Sequence, residues 1–202
     1  TSGLGTDLTV RLPKGHIWVG GSEIAADNVE FVANMPTEEI YSLPDRNGVD
    51  GVVYASKPLI YQGNVIDGIR LVFKAGKVVE YSASTGLDSL RQLLDTDDGA
   101  KHLGEVALVP YDSPISNSGI LFYNTLFDEN AACHLAFGKA YPTCLEGGDK
   151  MDNVELAKHG VNDSLLHEDF MIGTRDMAII GAREDGSTLQ IFKNGNFVLP
   201  SL

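Results

Sequence analysis

Apolar and polar positions along this chain fall into short β-rich runs punctuated by glycine. Residues 8–12 alternate, and residues 16–19 resume after a Pro13-Lys14-Gly15 turn, which predicts an N-terminal hairpin. Residues 69–73 and 78–81 flank Lys74-Ala75-Gly76-Lys77, and residues 187–192 meet 197–198 across Lys193-Asn194-Gly195-Asn196. Asn-Gly is the strongest short-range hairpin signal, because both central residues of a type I′ turn need positive φ. Two segments read as helix. Residues 88–94 place Leu90, Leu93 and Leu94 on one face, and residues 128–139 carry acids where a first helical turn favours them. Residues 146–160 are polar and predict a long loop. The expectation is an α+β fold, a mostly antiparallel β domain with a few helices, forming a single domain over residues 1–202.

Composition narrows the partners. The 22 glycines among 202 residues supply turn chemistry. A formal net charge of -13 at pH 7 repels phosphate backbones and anionic lipid, so nucleic acid is excluded as an expected partner. Apolar runs are short, and the chain opens on Thr1-Ser2-Gly3 with neither a basic nor an apolar leader, so no membrane span or signal peptide is expected. Cys133 and Cys144 read as reduced thiols, giving a cytoplasmic expectation. A first residue other than methionine suggests a fragment or processed form of a longer protein, or a trimmed tag.

The residues able to hold metal carry the chemistry. In Leu165-Leu166-His167-Glu168-Asp169-Phe170, His167 and Asp169 stand two apart and share a face if the segment is extended. His-x-Asp is a short pattern that a purely structural strand also produces. Glu105 leads into the apolar run Val106-Ala107-Leu108-Val109, where a buried carboxylate needs a partner, and a metal ion is one such partner. Adjacent Glu38 and Glu39 point to opposite faces of an extended backbone, so one of them can reach a given site. For any single glutamate the ordinary alternative is a solvated turn or strand end. On the predicted 128–139 helix, Asn130 and His134 stack, Glu129 lies about 140° from His134, and Tyr141 lies about 20° off its line if the helix survives Gly138.

Taken jointly, four stretches resemble the thermophilic-type metalloaminopeptidase family. They are Asn34-Met35-Pro36-Thr37-Glu38-Glu39, Gly104-Glu105-Val106-Ala107-Leu108-Val109, the run from Leu126-Phe127-Asp128-Glu129 to Cys133-His134-Leu135-Ala136, and His167-Glu168-Asp169-Phe170-Met171-Ile172-Gly173. The resemblance covers residues 3–198 and corresponds to the family's C-terminal catalytic domain, without its N-terminal α/β domain. It implies two divalent metal ions held by Glu39, Glu105, His134, His167 and Asp169, with Tyr141 as the active-site tyrosine. Glu129 matches a family acid that acts either as a ligand or as a base. Histidines with carboxylates suit zinc, cobalt or manganese, and no thiolate is required.

The implied function is a metal-dependent aminopeptidase that releases the N-terminal residue of short peptides with a two-metal activated water, as a homodimer. The alternative is a non-catalytic dimerisation fragment with an incomplete substrate chamber. A two-metal phosphoesterase is disfavoured by the net charge and by the lack of a phosphate-cradling glycine-rich loop.

Overall fold

Runs of alternating residues bounded by turn formers become short strands. The computed structural model describes residues 1–35 and 37–198; Pro36, within the 34–39 motif, and the last four residues of the expected 1–202 domain lie outside them. The chain begins with strands β1 (Asp7–Val10), β2 (Val19–Gly20), β3 (Glu23–Ile24), β4 (Glu30–Phe31), β5 (Ile40–Ser42) and β6 (Val49–Tyr54). Next come β7 (Leu59–Tyr61), β8 (Asn64–Ile66), β9 (Arg70–Lys74), β10 (Lys77–Ser82), helix α1 (Leu87–Leu94) and β11 (Leu103–Leu108). The remainder holds α2 (Pro114–Asn117), α3 (Thr125–Asp128), β12 (His134–Gly138), α4 (Asn153–Lys158), β13 (His167–Met171), β14 (Ile179–Ala182), β15 (Thr188–Lys193) and β16 (Asn196–Phe197).

Two sheets organise the chain: β1-β6-β9-β10 and β13-β12-β11-β5-β2, with every pairing antiparallel. This is the expected α+β class. The β9-β10 and β15-β16 hairpins form where predicted, with positive φ at Ala75-Gly76 and Asn194-Gly195. In α1, Leu90, Leu93 and Leu94 are buried, as the spacing requires. The main core lies between α1, the first sheet and the underside of the second. There Val53, Leu71 and Phe73 meet Leu135, Phe137 and Phe170, and the rings of Phe137 and Phe170 stack with centroids 4.4 Å apart. Among the described residues no helix is long and apolar enough to cross a membrane.

Three expectations are corrected. Residues 8–12 and 16–19 do not form a hairpin. Instead β1 pairs with β6, His16 bridges to Leu145, and β2 joins β5. The Pro13-Lys14-Gly15 turn separates two cores, since Leu8 and Val10 pack on the main one whereas Val19 packs with Leu145 on a smaller one. Nor is 128–139 a helix. α3 ends at Asp128, a 3-10 turn covers Glu129–Ala131, and His134–Gly138 is strand β12, hydrogen-bonded on both edges. Its alternation sends Leu135 and Phe137 into the core and the small residues Ala136 and Gly138 to the other side, so packing overrides the helix propensity of alanine. Finally, the polar 146–160 stretch contains α4, started by a capping box in which the Asp152 carboxylate accepts from the Val154 and Glu155 amides at 2.9 and 2.8 Å.

Gly104 presents Glu105 to the site. It sits at an irregularity in the β11-β12 pairing, and a Cβ there would lie 2.2 Å from the Lys139 carbonyl oxygen. Gly104→Ala should therefore cost roughly 2–3 kcal/mol, lowering the thermal midpoint by about 4–12 °C for a domain of this size. A midpoint within 2 °C of the parent would show that the backbone yields there.

Candidate metal centre

Residues two apart along a strand share a face, and directly opposed residues of antiparallel strands share it too. Glu105 stands opposite Ala136, and Ala136 opposite Asp169. Ala107 stands opposite both His134 and Tyr41, and Gly138 opposite His167. One face of the second sheet therefore carries Tyr41, Glu105, His134, His167 and Asp169 above a floor of Ala107, Ala136 and Gly138. The small floor residues leave room for the functional side chains. Glu39, two residues before Tyr41, enters from the same side, whereas Glu38 does not reach the cleft.

Two clusters result: Glu39, Glu105 and His134, and Glu105, His167 and Asp169, each with one donor atom per residue lying within 4.8 Å of the others. Glu105 belongs to both. Its Oε1 lies 3.3 Å from His134 Nε2 and its Oε2 lies 3.8 Å from His167 Nε2. His134 Nε2 is also 3.3 Å from Glu39 Oε1, and His167 Nε2 is 3.6 Å from Asp169 Oδ1. Each imidazole is held from behind, since His134 Nδ1 lies 3.0 Å from the Ala132 carbonyl oxygen and His167 Nδ1 lies 2.7 Å from that of Lys139. A carbonyl can only accept, so both Nδ1 atoms carry hydrogen and donate. Each Nε2 is then left facing carboxylates.

A lone pair aimed at a carboxylate is repulsive unless a cation, proton or metal, lies between them. Where no metal is bound, protons fill that role. Burial pulls the His134 imidazole down, but Glu105 and Glu39 override it and hold it well above its ordinary range. His167 is likewise lifted against burial, chiefly by Asp169, to about 9. Glu105 is pushed up by its own burial. The donor set fits divalent ions: ligands at 2.0–2.2 Å from a tetrahedral ion stand roughly 3.3–3.6 Å apart, close to the shorter separations above, and buried Asp169 Oδ1 has no hydrogen-bond partner.

His134 is buried, and Glu39, Glu105, His167 and Asp169 of these clusters line a cleft of about 650 Å³. Glu129 lines it but belongs to neither cluster. Its Oε1 accepts from Asn34 Nδ2, and burial together with nearby Asp169 pushes it up to about 9. Tyr141 follows β12 and does not continue a helix; its ring lies 4.7 Å from that of His167 and meets Tyr41 edge-on at 6.3 Å. Burial, reinforced by Glu105, pushes its hydroxyl up to about 12, so it remains a donor. Cys133 and Cys144 are both buried and unbridged.

Sequence reasoning missed Asn34, Tyr41, Asn130 and Glu168 as cleft residues. For Tyr41 the signal was available, since it is two residues from Glu39 on a strand. The others depend on contacts between segments far apart in sequence.

Known proteins resemble this chain in sequence and in fold. The thermophilic metalloprotease (M29) family matches residues 1–197. Aminopeptidase AmpS of Bacillus subtilis is 55% identical over 193 residues, which are 96% of this chain and 47% of that protein. Aminopeptidase PepS of Streptococcus thermophilus is 49% identical over 195 residues, covering 96% and 47%. The structure of AmpT from Thermus thermophilus superposes with a TM-score of 0.90 at 47% identity, covering 96% of this chain and 48% of that one. The chain thus spans about half the length of the curated relatives it matches. A match that runs through both ligand clusters and nearly the whole chain makes this protein a member of the thermophilic metalloprotease (M29) family.

Proposed function

We propose that this chain is the metal-binding half of an aminopeptidase that removes the N-terminal residue of short peptides, using a water activated by two divalent ions, zinc, cobalt or manganese. The observation that carries this reading is the pair of three-ligand clusters sharing Glu105 at the floor of an open cleft. When bound, two such ions supply Lewis-acid polarisation of the scissile carbonyl and a nucleophilic water at neutral pH. Glu39, Glu105, His134, His167 and Asp169 hold them.

The remaining steps belong to protein side chains. The backbone carbonyls of Ala132 and Lys139 fix the tautomer and angle of both imidazoles, an outer contact that matters to affinity. Tyr141 Oη donates a hydrogen bond to the substrate carbonyl oxygen as charge develops there. Glu129, oriented through Oε1 by Asn34 and pushed up by burial, holds a proton that it delivers to the departing amine, and it recovers one from the attacking water. A homodimer accords with the family resemblance and is tested by size-exclusion chromatography with light scattering.

Two measurements test the proposal. Adding zinc, cobalt or manganese at about 100 times the dissociation constant to metal-free protein should stabilise it by about 2.7 kcal/mol, raising the thermal midpoint by about 5–11 °C. No shift with any of the three ions would remove the metal from the picture. In the full gene product, peptides with a free amine should be cleaved at least roughly 100-fold faster than their N-acetylated counterparts, since the site is built around that amine. Equal rates would rule out an aminopeptidase.

A further inference from the structure

Two carboxylates that line the cleft, Glu23 and Glu168, are not used by the proposed chemistry, and Glu168 is the one that adjoins the ligand clusters. Glu168 lies between His167 and Asp169 on β13, so alternation turns it to the opposite face from both. It still lines the cleft because β13 is the edge strand of its sheet. Glu105, Glu39 and Asp169 each face a histidine, and Glu129 has Asn34. For Glu168 the side-chain partner among the described residues is the neutral hydroxyl of Thr125, donating at 3.2 Å.

The cleft also holds a buried acceptor that has no partner. Asn130 is 1% exposed and lines the same cleft. Its Nδ2 donates to the carbonyl of Leu126, the neighbour of Thr125, at 2.9 Å. That bond orients the amide and leaves Oδ1 buried without a partner. Helix α3 and the turn after it, which carry Thr125 and Asn130, both pack on β13. Buried acceptors without donors are costly, so this corner calls for a ligand that donates hydrogen bonds. Among the described residues none that lines the cleft is lysine or arginine.

We infer that Glu168, Thr125 and Asn130 form a subsite for the cationic side chain of a lysine or arginine at the start of the peptide. This deepens the aminopeptidase reading and rests on it. The substrate's α-amine belongs at the metal clusters, on the other face of β13. A group reaching Glu168 must therefore extend away from the reacting centre, which a long basic side chain does. Its N–H groups satisfy the carboxylate and the Asn130 carbonyl together, and its charge is matched in a cleft rich in acids.

The test compares arginyl and leucyl p-nitroanilides in the metal-loaded full gene product. Glu168→Gln should lower the arginyl-to-leucyl ratio of kcat/KM about tenfold or more, the scale of a charge-assisted hydrogen bond, mainly through KM, and Glu168→Asp should recover part of it. Binding of argininamide and leucinamide by calorimetry gives a readout that needs no turnover, and Glu168→Gln should weaken argininamide selectively. An unchanged ratio, or equal losses for both side chains in rate and in binding, overturns the subsite while leaving the aminopeptidase reading intact. Parent protein that binds argininamide through Glu168 yet cleaves no free-amine peptide overturns the reaction and keeps the subsite.

Discussion

Glu105→Ala is expected to strip both metal ions from the protein, whereas Glu39→Ala should strip one. The asymmetry follows from geometry, because Glu105 offers one oxygen to each cluster and Glu39 faces His134 alone. If a structural zinc site contributes roughly 10–16 kcal/mol over four ligands, one ligand is worth about 3–4 kcal/mol, or roughly 10²–10³ in affinity. Losing that factor at both clusters should take peptide hydrolysis below detection. Unfolding should not be the cause. Without Glu105 the buried His134 keeps Glu39 at 3.3 Å as its acidic partner, so the metal-free fold should survive with reduced stability. Elemental analysis after dialysis, with circular dichroism as the fold control, decides the matter. One ion retained by Glu105→Ala, or both lost by Glu39→Ala, would contradict the shared-ligand geometry.

Tyr141→Phe is expected to lower turnover by about 10²–10³, the effect of removing one donor to a developing oxyanion, with metal content close to that of the parent. The phenyl ring keeps the packing against His167 and Tyr41, so the ligand imidazole stays in place. Only the hydroxyl is lost. A fall in kcat at nearly constant KM separates this from weaker substrate binding. Should metal content fall with the hydroxyl, Tyr141 is a ligand and the oxyanion role belongs to another group.

Local pattern foretold a good deal of this molecule. Turn chemistry at Ala75-Gly76 and Asn194-Gly195 depends on the φ values a few residues can adopt, and both hairpins formed accordingly. The leucine spacing of α1 and the shared face of His167 and Asp169 are also short-range facts of backbone geometry. The candidate ligands were named by type, order and family resemblance, and those residues now stand together in space. Glu129 stayed open in the sequence between ligand and base, and its contact with Asn34 joins segments 95 residues apart.

Tertiary structure decided the rest where local preference and packing disagreed. Alanines and leading acids make residues 128–139 look helical, but burial on both faces and hydrogen bonding by β11 and β13 turn His134–Gly138 into a strand. That change sets the site, since period 2 places His134 and Ala136 on one face and so opens the space that Glu105 and Asp169 fill. The N-terminal turn likewise led to two different cores because apolar Leu8 and Val10 found a partner in β6. The sequence by itself determined the two glycine hairpins and the buried face of α1, set by interactions within a few residues, and supplied the chemical types of the candidate ligands. Which strands became neighbours, and hence which carboxylate bridges two clusters, was decided by burial and cross-strand hydrogen bonding between segments up to 130 residues apart.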